Sequence, residues 1–203
     1  MDTVGLIIAF CAAAIVTGVV TPLAGKIAVL LDVVDRPSVR KVNDRVGIPL
    51  LGGLAVVMGC GLGLVAFYLA SDQPQSAKLQ AHLASFMAGG MLLVLVGVWD
   101  DRFNLGAWQK IPFQVLASVI AIEGGFVIDY FTNPLTLVTH PLPEWLSWLI
   151  TLGWIVVVTN AMNLIDGLDG LTSGLGVIIA GTLGIICFQA DQAAGLLIAL
   201  VML

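Results

Sequence analysis

The sequence predicts an all-α integral membrane protein, a polytopic bundle of transmembrane helices. Of its 203 residues, 59% are hydrophobic and only 10% are charged, whereas a soluble domain has about 25% charged residues. Apolar runs that approach ~20 residues recur along the chain, and each is long enough to cross the hydrocarbon core of a bilayer. Helices are the expected spans because they satisfy their own backbone hydrogen bonds in lipid.

The hydrophobic pattern predicts six complete spans and a truncated seventh, all within one membrane domain over residues 1–203. The six predicted spans are about Val4–Val20 with a continuation toward Leu31, Leu50–Ala70, His82–Trp99, Ile111–Tyr130, Trp145–Asn160 and Leu171–Ala190. The seventh begins near Ala193 and stops at Leu203, which is too short to span a bilayer. We therefore expect the chain to be the N-terminal part of a longer protein.

The distribution of basic residues predicts the orientation of the bundle. Seven of the eight Lys and Arg residues fall in loops on one side, and only Lys78 lies on the other. Because cytosolic loops carry the excess of Lys and Arg, these seven mark the cytosolic side. The N-terminus is then outside, and the loops 21–49, 100–110 and 161–170 are cytosolic. In the outer loop 131–144, three prolines exclude a continuous helix and favour a short hairpin or an irregular lid.

A basic motif lies between the first two predicted spans. It reads Asp35-Arg36-Pro37-Ser38-Val39-Arg40-Lys41, and it is followed by Arg45, Pro49 and the pair Gly52-Gly53. An Arg guanidinium offers two parallel donors to a phosphate, and a Lys ammonium adds a compact charge. The motif therefore predicts a phosphate-binding surface beside the membrane. The alternative is that these charges only fix the topology or contact anionic lipid headgroups.

An acidic motif ends the third predicted span. Asp100 and Asp101 are adjacent, and Lys110 and Gln114 follow at the start of the next span. Acidic residues beside the hydrocarbon are energetically unfavourable and usually functional. Two carboxylates can bind Mg²⁺, which prefers oxygen ligands and also takes substrate phosphates, or one of them can act as a general base. The alternative is an ordinary polar cap in the headgroup region.

The most specific motif ends the fifth predicted span. It reads Asn160-Ala161-Met162-Asn163-Leu164-Ile165-Asp166-Gly167-Leu168-Asp169-Gly170, with a polar residue at every third position. Steps of three drift around a helix, so these polar residues would not share one face of a continuous helix. The two glycines predict that the helix ends near Asp166 and that the chain turns, which would bring the Asn and Asp groups back toward one point. The alternative is a polar loop between two helices.

The three motifs share one predicted side of the membrane although they are far apart in the sequence. Together with their flanking loops they place seven acids and seven bases at the predicted cytosolic face. Such a face suits an anionic substrate that carries phosphate, together with a divalent metal ion. No nucleic-acid partner is expected.

These residues resemble the polyprenyl-phosphate N-acetylhexosamine-1-phosphate transferase family, which is glycosyltransferase family 4. That family includes the UDP-GlcNAc:undecaprenyl-phosphate transferases that start teichoic acid, O-antigen and related glycans, and the phospho-MurNAc-pentapeptide transferase of peptidoglycan synthesis. The resemblance is spread over residues 35–175. The Asp-Arg-Pro opening and the Asn-Leu-Ile-Asp-Gly-Leu-Asp-Gly run look closer to the UDP-GlcNAc branch.

The resemblance implies a reaction at the cytosolic face of the bacterial cytoplasmic (inner) membrane. A polyprenyl phosphate, here undecaprenyl phosphate, would attack the β-phosphate of a UDP-N-acetylhexosamine, giving the polyprenyl-diphospho-sugar and UMP. Mg²⁺ would be required, with Mn²⁺ as an alternative ion. The resemblance also implies a homodimer, because members of the family often form dimers.

The resemblance also implies roles for individual residues. Asp100 and Asp101 would be catalytic, and both would bind the metal together with Asp166. The residues implied to bind substrate are Arg40, Lys41, Asn43, Lys110, Asn160, Asn163 and Asp169.

Two departures from the family pattern keep other functions open. The family has His two residues after the Arg-Lys pair, where this chain has Asn43, an amide that carries no charge. The family also has a later cytosolic loop with another metal-binding Asp and a His-rich motif. One alternative is therefore a truncated, non-catalytic fragment or assembly partner. The other is a membrane transporter that uses acids as an ion path, although the only acids in the predicted spans are Glu123 and Asp129, toward the outer end of the fourth.

Overall fold

Seven α-helices make up most of the described part of the chain. The computed structural model describes residues 2–35, 48–71, 76–166 and 170–203. The helices are α1 Thr3–Leu30, α2 Gly52–Ala70, α3 Ala77–Phe103, α4 Ala107–Glu123, α5 Glu144–Ile165, α6 Leu171–Gln189 and α7 Ala193–Met202. Five of them, α1, α2, α3, α5 and α6, are long and apolar enough to cross a membrane. The predicted polytopic helical membrane protein is confirmed.

The predicted fourth span differs from helix α4. The apolar pattern continued to Tyr130, but the helix has only 17 residues and ends at Glu123. The chain turns at Gly124 and Gly125, and Gly125 has a φ of +97°, a left-handed conformation that glycine adopts without a steric penalty. The apolar residues after this turn belong to the connection toward α5 and not to a membrane span.

Helices α3 and α5 extend beyond the spans that the apolar pattern predicted, and α5 ends near Asp166 as its glycines predicted. Helix α3 continues to Phe103, so Asp100 and Asp101 lie in its last turn rather than in a loop. Helix α5 continues to Ile165, so Asn160 and Asn163 are helical. Both polar motifs therefore start on rigid helix ends, and only the last part of the third motif lies beyond a helix.

Two short antiparallel hairpins connect the helices. Strand β1 Val34–Asp35 pairs with β2 Ile48–Pro49, which brings together the two ends of the segment that carries the basic motif. Strand β3 Tyr130–Thr132 pairs with β4 Thr139–Pro141, so of the two predicted forms of this loop, a short hairpin or an irregular lid, the structure shows the hairpin.

The connection that contains the second hairpin is anchored to α5 by buried hydroxyl groups. The hydroxyl of Ser147 donates to the carbonyl of Ile128 at 2.7 Å, and the amide of Ile128 donates to the hydroxyl of Thr151 at 2.9 Å. Ser147 and Thr151 are each only 3% exposed. The backbone that leaves α4 therefore has hydrogen-bond partners where it meets the first turns of α5.

Helices α1 and α2 approach each other closely along small residues. A Cβ atom added at Gly59 would lie 2.8 Å from the carbonyl oxygen of Ala13, and one added at Gly63 would lie 2.8 Å from the carbonyl oxygen of Ala9. Real Cβ atoms do not come this close to a backbone oxygen. Small residues at helix interfaces allow this approach in membranes, where association depends on close packing.

The short helix α7 packs into the core formed by α1 and α2. Its residues Leu197 and Val201 are 1% and 5% exposed and lie in one cluster with Ala9 and Cys60. The thiol of Cys60 also donates to the carbonyl oxygen of Val201 at 3.2 Å. A segment that the sequence predicts to be too short to span is therefore a well-buried part of the bundle.

Successive helices from α1 to α6 run antiparallel, so their ends alternate between two sides of the bundle. One side, called the Asp100 end below, holds the last turns of α1, α3 and α5 and the first turns of α2, α4 and α6. The described parts of all three motifs lie at this end. Its assignment to the cytosol stays a prediction from the charge pattern.

At the opposite end, Asp2 ties the start of α1 to the end of α2. Its carboxylate accepts from the amide of Gly5 at 2.9 Å and from the hydroxyl of Ser71 at 2.7 Å. These two hydrogen bonds, the Gly5 amide first, hold the pKa of Asp2 below its usual range.

This contact predicts an acid-sensitive contribution to stability. A carboxyl with a lowered folded-state pKa stabilises above its unfolded pKa, near ~3.9, and the contribution is lost as the pH falls through the folded value. Thermal unfolding of the wild type and of Asp2→Asn in detergent should therefore differ at neutral pH and converge as the pH falls below ~4. A difference that does not change with pH would rule out this role of the Asp2 charge.

Candidate functional site

A tight turn between α3 and α4 brings the acidic motif beside Lys110. Asn104, the residue after α3, is left-handed with a φ of +52°, and its amide donates to the carbonyl of Asp100 at 2.7 Å. The Gln109 side chain folds back and accepts from the amide of Gly106 at 2.7 Å. The last turn of α3 and the first turn of α4 are therefore held side by side.

Asp100 and Lys110 form an ion pair across this turn. The Lys110 Nζ atom lies 2.7 Å from Asp100 Oδ2, and the two side chains are 21% and 19% exposed. Partial removal from water strengthens the attraction between the two charges. Next to the pair, the rings of Trp99 and Phe113 meet edge-to-face with centroids 5.9 Å apart. The ion pair is thus partly buried and still open to the surface.

An amide pair links α4 to α5 one turn further along α4. Asn160 Nδ2 donates to Gln114 Oε1 at 2.7 Å, and Gln114 Nε2 approaches Asn160 Oδ1 at 3.4 Å. Asn160 Nδ2 also donates to the carbonyl oxygen of Val156 at 2.8 Å. Gln114 is only 7% exposed. The sequence motifs contain both residues but do not predict that they contact each other.

The third motif continues from the end of α5 to the start of α6. Asp166 follows the last residue of α5, and its Oδ1 atom accepts from the hydroxyl of Thr172 at 2.9 Å. Asn163 and Asp166 are both exposed. Gly170 precedes α6 with a φ of +78°, a left-handed conformation that glycine adopts freely. The helix end predicted near Asp166 is confirmed.

Polar side-chain pairs connect several helix ends at the Asp100 end. Besides the three contacts above, Arg102 of α3 lies 3.7 Å from Asp32, which follows α1, in an ion pair about half exposed. The four pairs are Asp32–Arg102, Asp100–Lys110, Gln114–Asn160 and Asp166–Thr172. They link the ends of α1, α3, α4, α5 and α6 in this order. Sequence reasoning did not assign roles to Asp32, Arg102 and Thr172, because no pattern in the sequence shows which helix ends meet.

Four of the predicted substrate-binding residues lie outside the described residues. They are Arg40, Lys41, Asn43 and Asp169. The roles predicted for them, and for the residues whose geometry is given above, stay predictions.

The described carboxylates offer the oxygen ligands that Mg²⁺ prefers. Asp100 and Asp101 are adjacent in the last turn of α3, and Asp166 ends α5. Within the described ranges, no three His, Cys, Asp or Glu residues converge in a way that could hold a metal ion. Magnesium in phosphoryl-transfer sites is commonly held by only one or two carboxylates together with substrate phosphates. The described donors therefore fit an ion that binds with a phosphorylated substrate, and among the described residues they do not form a closed protein site.

Comparison with known proteins agrees with these motifs. A sequence model of the glycosyl transferase family 4 matches residues 83–203, which is more than half of the chain. A Bacillus subtilis protein named "Probable undecaprenyl-phosphate N-acetylglucosaminyl 1-phosphate transferase" is 30% identical over 98% of this chain and 52% of its own length. A Mycobacterium leprae decaprenyl-phosphate N-acetylglucosaminephosphotransferase is 35% identical over 83% of this chain and 42% of its own.

A third relative is the undecaprenyl-phosphate alpha-N-acetylglucosaminyl 1-phosphate transferase of Yersinia pestis, 30% identical over 84% of this chain and 44% of its own length. The chain thus spans about half the length of these curated relatives. No solved structure gives a significant match. The family match over more than half of the chain confirms the family resemblance, and the chain belongs to glycosyl transferase family 4.

Proposed function

We propose that this chain carries the acceptor- and metal-binding part of a transferase that moves N-acetylglucosamine 1-phosphate from UDP-GlcNAc to undecaprenyl phosphate. The observation that carries the proposal is the Asp100–Lys110 ion pair, partly exposed at the ends of two apolar helices. It lies within the part of the chain that matches the family. The reaction would be the first membrane step of a cell-envelope glycan.

The position of the pair suits a lipid phosphate. The headgroup of a polyprenyl phosphate lies at the membrane surface, while its prenyl chain lies in the hydrocarbon, so its acceptor oxygen is presented where transmembrane helices end. The Asp100 end presents Lys110 at this depth, and an ammonium is an effective phosphate-binding group. The site would face the cytosol of a bacterial inner membrane, where UDP-sugars are made.

The proposed reaction is a phosphoryl transfer. An oxygen of undecaprenyl phosphate forms a bond to the β-phosphorus of UDP-GlcNAc, and the bond from that phosphorus to the oxygen of UMP breaks. UMP leaves with the electron pair of that bond. Such a transfer depends mainly on positioning and on stabilisation of negative charge, and less on covalent chemistry by the protein.

Each residue of the proposed site has a role that follows from its position. Lys110 holds the acceptor phosphate and, through its ion pair, the orientation of Asp100. Asp100 and Asp101 bind the metal and the acceptor side. Asn163, in the last turn of α5, and Asp166, which follows that helix, serve the nucleotide side. The predicted phosphate- and substrate-binding residues Arg40, Lys41, Asn43 and Asp169 complete the proposal.

Mg²⁺ would be held by Asp100, Asp101 and Asp166, and Mn²⁺ would be an alternative. The carboxylate groups of these residues support the proposed metal site, because hard divalent ions prefer carboxylate and phosphate oxygens as ligands. When bound, the ion neutralises charge on the diphosphate. We include a homodimer in the proposal because of the family resemblance alone.

The proposal predicts a strict requirement for a divalent ion. Membranes that contain the protein as its gene encodes it are incubated with radiolabelled UDP-GlcNAc and undecaprenyl phosphate. EDTA should lower the formation of labelled lipid by at least ~10-fold, because the diphosphate charge is no longer neutralised, and added Mg²⁺ should restore it.

Membranes without the protein provide the background for this measurement. No Mg²⁺-dependent lipid-linked product from the purified protein would contradict the proposal. If liposomes with the same protein show substrate-free ion flux instead, the transporter alternative is favoured.

A further inference from the structure

The amide pair between α4 and α5 uses most of the hydrogen-bonding capacity of Asn160. The Nδ2 group has two hydrogens, and both are donated, one to Gln114 Oε1 at 2.7 Å and one to the Val156 carbonyl at 2.8 Å. The Oδ1 atom faces Gln114 Nε2 at 3.4 Å. The side chain therefore has no donor left to offer a substrate, and its partners lie within the bundle.

Gln114 also lies in the interior of the bundle. It is 7% exposed, and its backbone carbonyl accepts from the fully buried hydroxyl of Ser118 at 2.7 Å. A primary amide in this position is unfavourable unless its polar atoms are paired. The Asn160 amide supplies that pairing from the neighbouring helix.

The pair lies at a depth from which it can control the site. Lys110 is one turn closer to the Asp100 end on α4, about 6 Å along the axis, and Asn163 is about 4.5 Å closer to the same end on α5. Because the two helices are antiparallel, Lys110 and Asn163 are then at nearly the same depth. The register between α4 and α5 therefore sets how the acceptor side and the nucleotide side of the site face each other.

Pro112 removes one backbone hydrogen bond from the first turns of α4. It lies within the helix, between Lys110 and Gln114. Proline has no amide hydrogen, so it cannot donate to the carbonyl of Trp108 one turn earlier. The ion pair at Lys110 and the amide pair at Gln114 are side-chain contacts on either side of this weakened point.

We propose that Gln114 and Asn160 are positioning residues, whose amide pair fixes the register of α4 against α5 and so holds Lys110 level with Asn163. As far as it concerns catalysis, this inference rests on the proposed function. It assigns Asn160 to the support of the site, whereas the family resemblance implied a contact with substrate.

The register can be measured without any assay of activity. Trp108 and Leu164 are 86% and 85% exposed, one at the start of α4 and the other at the end of α5. Spin labels are attached at Trp108→Cys and Leu164→Cys in the protein as its gene encodes it, with Cys11, Cys60, Cys187 and any further native cysteine replaced by alanine. The distance distribution between the labels is measured by pulsed electron resonance in lipid nanodiscs.

Three variants test the pair against this parent. Gln114→Met has a similar length but no amide, and it should broaden and shift the distance distribution. Asn160→Leu removes the amide on the other helix and should also broaden and shift the distance distribution. It replaces Gln114→Met in the test if that variant does not fold. The exchange Gln114→Asn with Asn160→Gln keeps one amide on each helix and should restore the narrow distribution.

Kinetic measurements on the variants connect register to catalysis. Misplacement of the two sides of the site should lower kcat by ~10- to 100-fold while KM for UDP-GlcNAc stays within about threefold. The exchange variant should recover kcat to within about threefold of the parent. The control is Thr182→Val, which removes an exposed hydroxyl that bonds within α6, and it should change neither readout.

The two readouts separate the inference from the proposed function. A distance distribution that is the same in the parent, Gln114→Met and Asn160→Leu would overturn the positioning role, whether or not the protein transfers sugar phosphate. A loss of kcat that the exchange does not restore would also count against it. A distribution that changes as expected in a parent without transferase activity would support the register claim and refute the proposed function.

Discussion

Replacing Asp100 with Asn is expected to lower the rate of sugar-phosphate transfer by at least ~100-fold, because a positioned charge that acts in the transition state contributes that much in comparable sites. The substitution keeps the shape of the side chain and removes its charge. The amide oxygen can still accept from Lys110, which lies 2.7 Å away in the wild type. The fold should therefore survive while the charge that is proposed to bind the metal ion is lost.

The stability of Asp100→Asn is the control within the same variant. A partly exposed ion pair contributes at most about 1 kcal/mol, so the unfolding temperature in detergent should change little. Asp191→Asn is the matched control, because it makes the same change at an exposed residue in the turn between α6 and α7, away from the Asp100 end. If Asp100→Asn keeps more than a tenth of the wild-type rate, the ion pair is not the centre of the site.

Replacing Gly59 with Ala should destabilise the bundle by about 1–3 kcal/mol, the usual effect of overpacking a tight interface. The added Cβ would overlap the Thr17 hydroxyl and lie 2.8 Å from the carbonyl oxygen of Ala13. A hydroxyl can rotate away, but a helix backbone can only move as a whole. Helices α1 and α2 would have to separate along their length, and Gly59→Leu should prevent correct folding altogether.

Gly90→Ala is the matched control for this prediction. Gly90 lies on α3, and a Cβ added there would meet no atom within 4 Å. Because alanine has the higher helix propensity, this substitution should be neutral or slightly stabilising. Thermal unfolding in detergent, followed by the fraction of protein that stays monodisperse, compares the two variants. Equal unfolding temperatures would mean that α1 and α2 are not packed as described.

The sequence predicted the shared location of the motifs better than the ends of the helices. Charge counting and apolar runs placed Asp100, Lys110 and Asp166 at one end of the bundle, and the structure brings them there. The predicted end of the fourth span was wrong because the apolar pattern continues through Phe126–Ile128, after the glycine turn at 124–125. A hydrophobic pattern does not show where a helix ends, and here the helix stops where Gly125 adopts a left-handed conformation. A pair of glycines alone does not predict this, because Gly89 and Gly90 lie inside α3.

The contacts between helices were not predictable from periodicity. A polar residue such as Gln114 in an apolar run indicates a buried partner, but it does not say which helix supplies it. Asn160 lies 46 positions away in the sequence, and only the packing of α4 on α5 joins the two. The pairing of Asp32 with Arg102 was hidden for the same reason, since it depends on how the ends of α1 and α3 meet.

The most direct test of the proposed function follows two labels of the donor at once. UDP-GlcNAc carrying ¹⁴C in the sugar and ³²P in the β-phosphate is given to the purified protein with undecaprenyl phosphate and Mg²⁺. Transfer of a sugar phosphate moves both labels into the lipid product in a one-to-one ratio, with one UMP released for each. Lipid that contains ¹⁴C without ³²P would show that only the sugar is transferred. The absence of any labelled lipid would show that no transfer takes place. Either result would contradict the assignment.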